Sequence, residues 1–138
     1  MRGSNRRSDD RLADFFAWTG GLSKSDMASG DVVVRAITNF VVLPRDAAEW
    51  KPTIIAAAKF CAQAAEHFEQ SGYSTQTLRV VTNPFGEYLD TSSAEAAVAG
   101  INALRGILTS EEMPQGIRIR FAIGEAKTAK ELKLVSTP

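Results

Sequence analysis

Two β-branched runs with long intervals between them constrain the fold more than anything else in the chain. Residues 32–38 and 78–82 each read as a short buried strand, and a third run of the same character follows at 117–123. A hairpin needs only a few linking residues, whereas the intervals from Thr38 to Leu78 and from Thr82 to Ile117 each hold a helix. Such spacing predicts parallel pairing through right-handed crossovers. The expected class is therefore α/β, a βαβαβ(α) unit around a small parallel sheet.

The intervening helices have legible ends. Pro52 suits a first helical turn, Ile54, Ala58, Cys61, Ala65 and Phe68 recur at intervals of three and four, and Gly72 fits a left-handed cap. A second helix is expected to start at Ser92 with Glu95 reaching back to cap it, and to bury Ala97, Ile101, Leu104 and Leu108. A third is expected over residues 126–134. Residues 40–43 extend the first strand or form the floor of the loop that Pro44 ends.

The start of the chain differs in character. Arg2, Arg6, Arg7, Asp9 and Asp10 crowd a segment with almost nothing apolar, so residues 1–30 are expected to form a tail outside the α/β domain of residues 31–138. Within it, Leu12, Phe15 and Phe16 sit at helical spacing before Gly20 and Gly21, which predicts a short helix, and residues 23–30 read as a linker.

Composition excludes several function classes. The 138 residues suit one domain, and 16 basic against 16 acidic side chains give no bulk field toward nucleic acid or an anionic membrane. No apolar run approaches the ~18 residues of a membrane span. The lone Cys61 forbids an internal disulfide and predicts a reducing, cytoplasmic setting. No spacing matches a zinc site, a calcium loop, a catalytic triad or a glycine-rich phosphate loop, so no metal is expected and no cofactor is indicated. His67 and Cys61 fall on the first helix, His67 as a surface group and Cys61 as part of the core stripe.

The candidate site comes from a repeat. Arg35-Ala-Ile-Thr38-Asn39-Phe40 and Arg79-Val-Val-Thr82-Asn83-Pro84-Phe85 both end in Thr-Asn before an aromatic residue. Strands in parallel would bring these endings to one rim, where α/β sheets place ligands. Arg35, Arg79 and Arg120 would then stack at one depth, leading to Asn39, Asn83, Gly124 and Glu125, with Thr38 and Thr82 on the other face. A basic strip of this kind suits a small anionic ligand. The competing reading pairs these arginines with Glu66, Glu69 or Glu95 on the covering helices. Glu87, Tyr88 and Asp90 offer further polar groups in the loop after the second strand.

The phrase Gly72-Tyr73-x-x-Gln76-Thr77-x-Arg79, followed by Thr82-x-Pro84-Phe85, resembles the uncharacterised proteins grouped as domain of unknown function 711. The resemblance implies an α/β fold of the kind shared with pyruvate formate-lyase-like barrels, in a longer chain, and lends no catalytic role to any residue. The Arg-Val-x-Gly-Tyr motif of glycyl-radical chemistry is absent. A fragment of a larger barrel-like domain is thus expected, acting as a non-catalytic module completed by a second copy or a partner chain. An enzymatic or small-anion-binding module with its site at the strand ends is the alternative, and nothing in the sequence decides whether the chain is an enzyme.

Overall fold

The computed structural model describes residues 32–136. The expected helix around Phe15, the linker at 23–30 and Trp18, which the sequence suggests as a packing anchor, lie outside them. The described chain runs β1 (Val33–Val34), β2 (Ile37–Val41), a single 3-10 turn (Ala47–Glu49), α1 (Trp50–Gln70), β3 (Ser74–Thr75), β4 (Leu78–Pro84), a second 3-10 turn (Phe85–Glu87), α2 (Ala94–Leu108), β5 (Ile119–Gly124) and α3 (Ala129–Ser136). All strand pairs are parallel, with β1 beside β3 and the main sheet in the order β2-β4-β5. The α/β class and the crossover pattern are as the spacing predicts. No closed barrel forms among the described residues.

The first strand is split. Arg35 and Ala36 separate β1 from β2, and single backbone bonds from Gln76 N to Val34 O (2.9 Å) and from Ile37 N to Thr77 O (2.9 Å) carry the pairing across the gap. Helix α1 begins at Trp50 with Pro52 in its first turn, where a missing donor costs nothing. It ends in a Schellman cap: Tyr73 N bonds Phe68 O (2.9 Å), Gly72 N bonds Glu69 O (3.0 Å), and Gly72 takes φ 92°. The rings of Phe68 and Tyr73 close the motif edge to face, with centroids 5.8 Å apart.

Helix α2 corrects two expectations. Its N-cap is Ser93, whose Oγ accepts from Ala96 N at 3.1 Å, while the Ser92 N–H bonds the Asp90 carboxylate. Ile101 is exposed, because α2 turns Ala97, Leu104, Ile107 and Leu108 inward and sets Gly100 against Leu89. A Cβ at Gly100 would come within 2.7 Å of the Leu89 methyl, so a larger residue there requires Leu89 to shift. Helix α3 starts three residues later than expected, at Ala129, for a reason found in its cap.

Two apolar clusters hold these parts. Ala57, Cys61 and Ala65 of α1 pack on Leu78 and Val80 of β4, flanked by Ile37, Val41, Ile119 and Phe121. Toward the strand ends, Leu43, Trp50, Ile54, Phe85, Tyr88, Leu89 and Leu104 form the second cluster. Trp50 meets Tyr88 edge to face at 5.7 Å and donates its indole N–H to Pro44 O at 2.6 Å. Such an aromatic contact contributes about 1 kcal/mol beyond burial. Both clusters lie on the helix side of the sheet. Its other face carries Thr38 and Phe40 on β2, Arg79 and Val81 on β4, and Arg120 and Ala122 on β5, with no helix over it among the described residues.

Candidate functional site

Register decides which repeat residues can meet. Thr38 lies beside Arg79, and Val41 beside Thr82, so the two Thr-Asn endings are offset by three positions along the strands. An odd offset also exchanges faces. Thr38 therefore belongs to the open face, while Asn39 and Thr82 belong to the helix side, and Asn83 falls in the irregular stretch of pairing between Val81 and Pro84. The register follows from burial: Ile37 and Val41 must share the α1 side with Leu78 and Val80, and aligning the repeats would turn them outward. The common rim expected from the repeat is corrected accordingly. Arg35, exposed between β1 and β2, does not stack on Arg79. Arg120 does, as its register partner on β5.

Thr82, Asn83 and Gly124 do come together, at the C-terminal end of the sheet. The Thr82 hydroxyl accepts from Gly124 N (3.0 Å), lies 2.8 Å from the Tyr88 hydroxyl, and donates to Asn83 O (2.9 Å). One donor and two acceptor sites are all a hydroxyl has, so its capacity is spent. Burial pushes the Tyr88 phenol above its ordinary value of 10.0, keeping it protonated, and the bond to Thr82 opposes that shift. Gly124 is required by closeness, since a Cβ there would strike the Asn83 carbonyl and the Pro84 nitrogen.

Asn83 ties three loops. Its Oδ1 accepts from Leu43 N (2.9 Å), and its Nδ2 donates to Leu43 O (3.3 Å) and to the Glu87 carboxylate (2.9 Å). The other Glu87 oxygen takes Lys127 Nζ at 2.7 Å. Lys127 first, and then Asn83, hold the Glu87 carboxyl below its ordinary 4.5, while Glu87 raises Lys127 in return. Asp90 is lowered by its bonds to Ser92. Glu125 is exposed just beyond β5.

Glu131 is a feature that sequence reasoning missed. Only 8% exposed, it accepts from Lys127 N (2.7 Å) and Thr128 N (3.1 Å), while Glu131 N donates to Thr128 Oγ1 (3.2 Å). Thr128-x-x-Glu131 is a capping box, and that four-residue signature was the available signal. It places the helix start at Ala129. Gly86 passes so close that any side chain there would meet the Glu131 carboxylate.

The rim is thus a closed polar network suited to bracing loops. A recess of about 500 Å³ beside it is lined by Arg45, Trp50, Tyr88 and Asp90, and a cavity of about 550 Å³ at the opposite end of the sheet is lined by Glu66, Glu69, Gln76 and Arg118. No group of three metal-ligating side chains occurs among the described residues, and none of their helices is long and apolar enough to cross a membrane. On the open face, Arg79 and Arg120 form no ion pair among the described residues, and Glu66, Glu69 and Glu95 do not reach them.

The family model described as Uncharacterised ACR (DUF711) matches residues 27–137. The chain belongs to this DUF711 family. The match spans both crossovers and the Gly72-Tyr73 phrase, so the residues that brace the rim and those that line the open face all lie within the DUF711 region. Neither a curated protein nor a solved structure matches the chain.

Proposed function

We propose that this DUF711 chain acts as a module without catalysis of its own, whose open sheet face is covered by a second copy of the same chain. The observation that carries the reading is one-sidedness: both crossover helices pack on one side of a parallel sheet, and sheets of this type are covered on both. What lies bare is apolar at its centre, with Phe40 and Val42 each 76% exposed beside Val81 and Ala122. A two-fold axis through this strip lays each strip on its equivalent and keeps the arginine rows of the two copies apart. The network at the rim supports the same reading, since Thr82 and Asn83 have little hydrogen-bonding capacity left for a substrate. Lone, buried Cys61 is compatible with a reducing, cytoplasmic setting.

Three strands about 5 Å apart offer less than the ~800 Å² per partner of a stable interface, so the association is weak and concentration dependent. Light scattering after size exclusion, run from about 10 to about 500 μM, is expected to show the mass rising toward a dimer. Phe40→Glu is expected to hold the chain monomeric. A monomer across the whole range for the unsubstituted chain overturns the proposal.

A further inference from the structure

We propose that the row Thr38, Arg79 and Arg120 on the open face is a binding site for a carboxylate carried on a small apolar body. The three residues are register neighbours on β2, β4 and β5, so the two guanidinium groups rise from adjacent strands about 5 Å apart. Like charges set directly opposite each other destabilise a sheet. Among the described residues no carboxylate pairs with either arginine, and the helices that might supply one lie behind the sheet. An oxyanion seated between the two forks removes that repulsion and accepts parallel hydrogen bonds from both, with Thr38 flanking the pair on β2.

The next row toward the strand ends fixes the rest of the ligand. Phe40, Val81 and Ala122 lie two positions further on, about 7 Å away, and form an apolar shelf. A carboxylate attached to an aryl or short acyl group satisfies both rows at once. Inorganic phosphate satisfies only the first. The site is present in a single chain, but its apolar shelf is the strip that a second copy would cover, so ligand and second copy compete for it and the site is tested at concentrations where the chain is monomeric.

The test is an amide NMR titration with benzoate and, separately, with inorganic phosphate. Benzoate is expected to shift the amides of Thr38, Arg79 and Arg120. Arg79→Gln and Arg120→Gln, both changes of exposed side chains, are each expected to weaken benzoate about tenfold. Phe40→Ala is expected to weaken benzoate and leave phosphate unaltered, and Arg105→Gln, on the exposed side of α2, to change neither. Absence of shifts, equal affinity for phosphate and benzoate, or unaltered benzoate binding in both arginine variants overturns the assignment. None of these results depends on whether Phe40→Glu alters the mass at high concentration, so the two proposals fail separately.

Discussion

At Thr82 one hydroxyl oxygen joins β4, β5 and the turn that follows β4. The residue stands out in the sequence as a candidate ligand group, and the structure spends it on Tyr88, Gly124 and Asn83 instead. Nothing in the letters around Thr82 shows that a phenol six positions on folds back to meet it. Thr82→Val keeps the volume and strands a buried phenol and a backbone N–H, which costs about 2–4 kcal/mol. Urea unfolding is expected to show that loss, and Thr82→Ser a smaller one. Tyr88→Phe removes the phenol partner, so combining it with Thr82→Val should cost less than the sum of the two single changes.

Elements were legible where a side chain terminates them, and misplaced where repeated letters stood in for packing. The helix of Trp50–Gln70 and its Gly72 stop could be read directly, because a 3.6-residue apolar stripe and a glycine cap are local signals. Strand register is not local. The matching Arg and Thr-Asn letters suggest one alignment, but burial of Ile37 and Val41 imposes another three positions away, and that shift sets Asn39 beside Val80 instead of Asn83. The start of α3 was missed although Thr128 and Glu131 announce it. Glu131→Ala removes the acceptor for two backbone donors and is expected to destabilise by about 1–2 kcal/mol. Amide exchange should speed up first in α3 and in the turn around Gly86, which the same carboxylate touches, while β4 amides change least.

The molecule as a whole closes its C-terminal rim with charge. Glu87 titrates below its ordinary 4.5 in the folded chain because Lys127 and Asn83 bond its ionised form. Its contribution is therefore fully present above the unfolded value and is lost as pH falls through the folded one. Because the pair is exposed, the effect is small. Urea midpoints measured from about pH 6 down to about pH 3 are expected to fall, and Lys127→Met to flatten that slope. An identical slope in the variant would show that Glu87 gains nothing from the lysine.

The strands of the main sheet stand in space in the order in which they occur along the chain, with every crossover on the same side. During synthesis, β2, α1 and β4 can dock before α2 has left the ribosome, and β5 then arrives at an edge already in place. No later segment has to be inserted between strands that have already paired. The topology therefore permits the nascent sheet to grow outward from β2, one strand at a time.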